Sequence, residues 1–228
     1  MGNQRRKGVN EGKRGRAVAV VLAGFFLSAR KVPSSLPFIL ASASPRRTEL
    51  LRDAGLPHRV VVAAVTEHED PSTDPAKMVL HNARLKAAAV SRLHPDALVL
   101  GSDTTVALGD QALNKPADLA ESHAMLRSLS GREHTVHTGV CLLCPSLGID
   151  ESHDVTAWVR FNVLSEADIT SYQGLVNTLD KAGAYGIQEG REIIIADYQR
   201  PISTIMGLPV EFVKARLAAL GVLERLKS

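Results

Sequence analysis

Leu36-Pro37-Phe38-Ile39-Leu40-Ala41-Ser42-Ala43-Ser44-Pro45-Arg46-Arg47-Thr48-Glu49-Leu50-Leu51 reads as a strand, a turn and the start of a helix. The apolar residues Leu36–Ala41 suit a short buried strand. Ser44 is a good N-cap and Pro45 suits the first helical position. Leu50, Leu51 and Ala54 put an apolar stripe on the helix, and Gly55 with Pro57 ends it. The first turn nevertheless carries Arg46 and Arg47. The positive end of a helix dipole favours carboxylates, and a cation there loses roughly 0.3–1 kcal/mol. Free backbone N–H groups, the hydroxyls of Ser42 and Ser44 and two guanidinium groups converging on one point are what a phosphate requires. A solvated basic turn on a surface helix would explain the same residues without a ligand.

Outward from this stretch, strands and helices alternate. Arg59–Val65 reads as a β-branched strand, and Asp74-Pro75 opens a helix reaching about Leu93. Ala97–Gly101 reads as a buried strand ending in Ser102-Asp103-Thr104-Thr105, and Val106–Leu113 as a hairpin turning at Gly109-Asp110. Asp118 and Glu121 suggest a capping box for a helix to Leu129, closed by Gly131. Strands follow at His134–Leu143 and Val155–Val163, then a helix opened by Ser165 and Asp168. An irregular loop at Asp180–Gln188, a strand at Glu192–Ala196 and a helix at Val210–Leu220 complete the pattern. The predicted class is α/β: a mixed sheet with flanking helices and antiparallel parts.

A chain of 228 residues, 45% hydrophobic and 22% charged, can bury a sizeable core. Aromatic residues make up 4%, so no stacking platform for single-stranded nucleic acid is evident. The net charge is +3, but residues 1–35 hold eight Lys/Arg against Glu11 alone, leaving the remainder at −4. The basicity therefore belongs to the leader and gives no reason to expect nucleic acid as a partner. Within that leader, Ala17–Ala29 is an uncharged run, shorter than the roughly 20 residues a bilayer span needs. Residues 1–35 read as a signal-like segment, a disordered arm, or sequence upstream of a later start, and the domain is placed at 36–228. Cys141 and Cys144 fall on a predicted strand, where positions three apart face opposite ways. No second pair supports zinc, so they read as thiols of a reducing compartment.

Asp103 is the residue that most suggests chemistry. A carboxylate where a buried strand ends can ligate a divalent metal or orient and deprotonate water. Glu67 offers a second carboxylate after the preceding strand, with Glu69 and Asp70 crowding the same loop. Four cations surround this plan. Arg46 and Arg47 lie on the helix start, Lys86 among alanines on the long helix, and Lys115 before a stiffening Pro116.

The stretches Ala41–Leu51, Val65–Glu67, Lys86-Ala87, Gly101–Thr105, Lys115-Pro116, Leu129–His134, Asp180–Gln188 and Met206–Pro209 together resemble the Maf family of nucleoside triphosphate pyrophosphatases. The likeness runs across Leu36–Leu220. It implies hydrolysis of a nucleotide between its α- and β-phosphates. It also implies a mixed α/β fold with a central cleft, related to inosine triphosphatase, and a divalent metal, magnesium or manganese. Asp103 would be the catalytic carboxylate and, with Glu67, a metal ligand. Ser42, Ser44, Arg46, Arg47, Lys86, Thr104 and Lys115 would hold the substrate. The AGAYGIQ form of the 182–188 block resembles the branch acting on dTTP and UTP. Gln188 suits that choice, because an amide both donates and accepts and so matches the O4 and N3–H edge of thymine and uracil. Tyr185 is either a base neighbour or a core tyrosine. Asn177 and Asn114 depart from the family pattern, which commonly has glutamate and glycine there.

The expected role is pool cleaning in the cytoplasm, on dTTP, UTP and modified pyrimidine nucleotides. The expected partner is a nucleoside triphosphate, with no nucleic acid and no membrane, and a homodimer as the candidate assembly. A nucleotide-binding regulator of cell division with secondary hydrolysis, or the same chemistry on a purine or methylated guanine nucleotide, are the alternatives.

Overall fold

The first strand of the computed structural model, β1 (Leu36–Ala41), runs straight into α1 (Pro45–Asp53), with Pro45 in the first turn. The structure describes residues 33–227, so the leader expectation for residues 1–35 falls, but for its last three residues, outside them. β1 lies parallel between β2 (Arg59–Val60) and β3 (Leu98–Leu108). β3 then pairs antiparallel with β5 (Glu133–Cys144), β5 with β6 (Ile149–Phe161), and β6 with β7 (Ile195–Tyr198). A mixed eight-stranded sheet of order β2-β1-β3-β5-β6-β7 results. Off this path, β4 (Gln111–Leu113) folds back on the end of β3 and β8 (Leu226–Lys227) pairs with the start of β1.

Both faces of the sheet are covered, which is why the central strands are apolar without strict alternation. Leu36, Phe38 and Leu40 of β1 pack with Leu51 of α1 and with Val213 and Leu217 of α7 (Val210–Ala219). Ile39 and Ala41 point the other way, onto Ala83 and Ala87 of α2 (Pro75–Ser91). A third cluster joins Val106, Val136, Val159 and Phe161 to α3 (Leu119–Leu129) and α4 (Glu166–Leu175). Cys141 belongs to the α2 face and Cys144 to the α7 face, both as free buried thiols, as strand periodicity requires.

Local chemistry explains most element starts. Asp74 caps α2 by accepting from the Lys77 N–H at 2.9 Å, with Pro75 in the first turn. Ser165 and Asp168 form a reciprocal capping box at α4. At α3 the box is incomplete: Asp118 accepts from the Glu121 N–H, but the Glu121 carboxylate takes the N–H of Ala117. The β3–β4 hairpin turns at Gly109-Asp110, as expected.

Four expectations need correction. The strand expected over Arg59–Val65 stops at Val60: the bond from Val61 N–H to Leu40 O is the last to β1, because β1 itself ends at Ala41. The strand expected from Val155 begins at Ile149, since the β5–β6 turn is a single tight one at residues 145–148. Glu192–Ile194, expected as the first part of a strand over Glu192–Ala196, lies instead in a helical turn, α5 (Arg191–Ile194), ahead of β7. Asp103 does not end a strand. It lies in the middle of β3, which continues to Leu108 because β5 pairs with it from Val99 to Ala107.

What ends near Asp103 is the neighbour. β1 pairs with β3 as far as Gly101, and β4 picks up at Val106. Residues 102–105 therefore have no strand beside them on that edge. This gap in the sheet places the site. Across it, α2 packs directly on backbone: a Cβ at Gly101 would lie 2.2 Å from Ala83 O, and one at Gly139 2.2 Å from Val79 O. Gly139→Ala should accordingly force α2 off the sheet and lower the unfolding free energy by about 3 kcal/mol in a urea titration. Wild-type stability in this variant would show that α2 does not depend on the close approach.

Candidate active site

The gap opens into a cleft of about 390 Å³, within the range of small-molecule sites. Ser42, Ser44, Arg46 and Arg47 line it from the β1–α1 turn. Glu67 and Lys86 reach it from the 61–74 loop and α2, and Thr104 from β3. Lys115 and Gln188 reach it from the turns beyond β4 and beyond Tyr185. Asp103 stands behind Lys86, on the α2-facing side of β3. All ten residues singled out from the sequence thus gather in one place.

The chemical centre is a lysine held between two carboxylates. Lys86, only 7% exposed, places Nζ 2.6 Å from Glu67 Oε2 and 2.8 Å from Asp103 Oδ1. The other Asp103 oxygen, Oδ2, accepts from Asn82 Nδ2 at 3.0 Å. Burial pushes the Asp103 carboxyl up, but Lys86, Arg47 and the Asn82 amide outweigh it and hold the group below the usual carboxylate range. It is an ionised carboxylate with both oxygens partnered.

Asn82 was not legible as a functional residue. It lies one turn before Lys86 on α2 and is 2% exposed. Its Oδ1 accepts from His68 N–H at 2.8 Å and its Nδ2 donates to His68 O at 2.9 Å. One buried side chain therefore joins the Glu67 loop to Asp103. The only sequence signal for it was its i, i+4 spacing from Lys86.

The helix start differs from expectation. Ser44 makes no side-chain cap bond, and its N–H donates to Ser42 Oγ at 3.2 Å. Arg47 is 9% exposed and its guanidinium is committed inside the protein. Nε donates to Gly207 O at 2.7 Å, Nη1 to Ser42 Oγ and Nη2 to Thr104 Oγ1, each at 3.0 Å. Burial draws its pKa down against the pull of Asp103 and Glu67, and it remains charged. The charge unfavourable to the helix dipole is compensated within the fold by these three bonds. Arg46, half-exposed on the cleft wall, is the arginine of the pair that the fold leaves at the surface.

The 180–188 loop is braced from within. Lys181, 5% exposed, donates to Asn177 O at 2.7 Å and pairs with Asp180 at 2.8 Å and Glu189 at 3.3 Å. Tyr185 is the core tyrosine of the two readings and also lines the cleft. Its hydroxyl lies 2.9 Å from His134 Nε2 and its ring is edge-on to Phe161. Gln188 beyond it is exposed.

Glu67 and Asp103 offer carboxylate oxygens of the kind magnesium or manganese takes, although Lys86 Nζ already bridges one oxygen of each. Among the described residues no group of three or more His, Cys, Asp and Glu could hold a metal, so Glu67 and Asp103 would need substrate oxygens to complete a shell. No helix among the described residues is long and apolar enough to cross a membrane.

The site is thus a lysine-bridged carboxylate pair set in the gap of a mixed sheet flanked by helices. The Maf-like protein family matches residues 37–220, and the chain belongs to that family. It is 45% identical over 185 residues to a dTTP/UTP pyrophosphatase of Akkermansia muciniphila, covering 81% of this chain and 97% of that protein. It is 45% identical over 187 residues to a dTTP/UTP pyrophosphatase of Deinococcus radiodurans, covering 81% and 93%. A dTTP/UTP pyrophosphatase of Symbiobacterium thermophilum is 44% identical over 185 residues, covering 80% and 93%.

The two arginines should separate in a stability measurement without nucleotide. Arg47→Ala removes three inward bonds of a buried guanidinium, to Gly207 O, Ser42 and Thr104, and should cost about 3 kcal/mol of unfolding free energy. Arg46→Ala should stay within about 0.5 kcal/mol of wild type. Equal small losses in both would mean that Arg47 does not hold the fold.

Proposed function

We propose that this protein hydrolyses dTTP and UTP to the monophosphate and pyrophosphate, with Asp103 as the catalytic carboxylate. The observation that carries the reading is the Glu67–Lys86–Asp103 bridge beside a cleft that also holds Arg46, Lys115 and Gln188. An ionised Asp103, with each oxygen oriented by a donor, is suited to take the proton of a water attacking the α-phosphorus. Lys86, Arg46 and Lys115 would neutralise charge that builds on the departing pyrophosphate, the main task in phosphoryl transfer. Ser42, Ser44 and Thr104 would orient the triphosphate, with Arg47 holding Ser42 and Thr104 in place. Glu67 and Asp103 would hold a divalent cation, which when bound screens the phosphate oxygens.

Gln188 is the base-reading residue in this scheme. Its amide matches the thymine and uracil edge, and cytosine would present the opposite polarity and leave groups unpaired. The relatives named for dTTP and UTP support the same choice. The substrate is a free nucleotide, and the work is cytoplasmic clearing of the pool before polymerases draw on it.

Pyrophosphate release by the full chain with magnesium, measured over a nucleoside triphosphate panel, tests this. dTTP and UTP should exceed dCTP by about tenfold or more in kcat/KM, and Gln188→Ala should erase most of that margin. Asp103→Asn should lose about 10³-fold in kcat. Full activity in Asp103→Asn would overturn the mechanism, and equal use of dCTP would overturn the role of Gln188.

A further inference from the structure

Glu67 lies in a long connection, residues 61–74, that belongs to neither strand nor helix. A side chain on such a segment is useful to a reaction only if its backbone is held, because each free residue carries roughly 1–2 kcal/mol of conformational entropy. Two amides supply the hold. Asn82 grips His68 through both its N–H and its carbonyl. Asn114, in the corner after β4, grips the next residue: its Nδ2 donates to Glu69 O at 2.9 Å. The Ala112 N–H donates to Pro71 O at 3.4 Å, reinforcing the same side.

Asn114 makes two further bonds. Its Oδ1 accepts from Thr105 Oγ1 at 2.9 Å, and Thr105 is two residues along β3 from Asp103, on the same face of the strand. Its main-chain carbonyl accepts from the Gly183 N–H at 3.2 Å, in the loop that carries Gln188. The amide orientation follows from chemistry, since a main-chain carbonyl can only accept and a threonine hydroxyl can donate. Asn114 thus meets the acid loop and the Asp103 strand together, from the β4 side, as Asn82 does from α2. The main chain of Asn114 meets the base-side loop. It precedes Lys115 directly.

We propose that Asn114 is a positioning residue that fixes Glu67 against the Lys86–Asp103 pair and makes the acid loop and the Gln188 loop move as one piece. The inference rests on the reading that Glu67 serves the reaction. Displacements of about 1 Å at a reacting centre cost up to 10²-fold, so a loosened Glu67 should be visible in turnover while leaving ground-state binding nearly intact.

The test is a double-mutant cycle of Asn114→Ala and Glu67→Gln in the full chain, run on whichever nucleoside triphosphate the wild type hydrolyses fastest. Asn114→Ala should lower kcat about tenfold, and the Kd of a non-hydrolysable α,β-imido analogue, by calorimetry, should stay within about twofold of wild type. Added to Glu67→Gln, it should lower kcat by no more than about twofold further, because its effect passes through Glu67. Asn114→Asp, which keeps the acceptor for Thr105 and loses the donor to Glu69, should show the same kcat loss and keeps the test open where the alanine variant folds poorly. Wild-type kcat in Asn114→Asp, or fully multiplicative losses in the cycle, would overturn the proposal. Failure of the wild type on dTTP would instead overturn the substrate assignment and leave the cycle intact.

Discussion

The ammonium of Lys86, set between Glu67 and Asp103 in the gap beside β3, is the interaction on which the rest of this structure depends. Two carboxylates this close would otherwise repel, and Asp103 is 9% exposed, so neither water nor a shared proton offers an easy substitute. Removing one partner of a buried pair costs about 3–5 kcal/mol, because the other charge is left uncompensated. Much of the architecture serves to bring the three groups together. α2 delivers Lys86 and can lie close enough only because Gly101 and Gly139 present no side chain to it. β1 stops at Ala41, and that end leaves room for a cleft. The 61–74 loop brings Glu67 across from the far side and is held there by amides.

Arg47 imposes the second constraint. Its three bonds gather the β1–α1 turn, β3 and the Gly207 carbonyl into one unit, and Ser102 Oγ donates to the same carbonyl at 3.1 Å. The segment around Gly207 is held also through Thr138, which donates to Thr204 O at 3.0 Å. The cleft floor is therefore a hydrogen-bonded assembly held by the protein's own groups, which is the preorganisation the proposed hydrolysis needs. Arg46 and Lys115, by contrast, are offered to the cleft from its rim.

How much of this was legible follows from the kind of signal each residue carries. The Pro45 first turn, the Asp74 cap, the Gly109-Asp110 hairpin and the opposed faces of Cys141 and Cys144 are local, and local chemistry decides them. That residues as far apart in sequence as Arg46, Lys86, Lys115 and Gln188 border one cleft came from family resemblance, since spacing could not place them together. Three things stayed hidden, each for want of a partner visible in sequence. Val61–Val65 has strand composition but loses its neighbour when β1 ends. Glu192–Ile194 has strand-forming isoleucines but turns as a helix ahead of β7. Asn82 and Asn114 look like ordinary polar residues, and only the contacts across 14 and 45 positions of sequence reveal them as joints. The bond of Arg47 to Gly207 O was hidden for the same reason, since that carbonyl lies 160 residues away.

The central claim, that Lys86 keeps Asp103 ionised against its burial, is tested most directly by carbon NMR titration of the Asp103 carboxyl in the wild type and in Lys86→Met. In the wild type the carboxyl should titrate below its ordinary value of 3.8. The stability this contributes is then present above 3.8 and lost as pH falls through the lower folded value. In Lys86→Met burial is left to dominate, so the titration should move above 3.8 and the sign of that contribution should reverse. An Asp103 titration that stays below 3.8 without Lys86 would contradict the account.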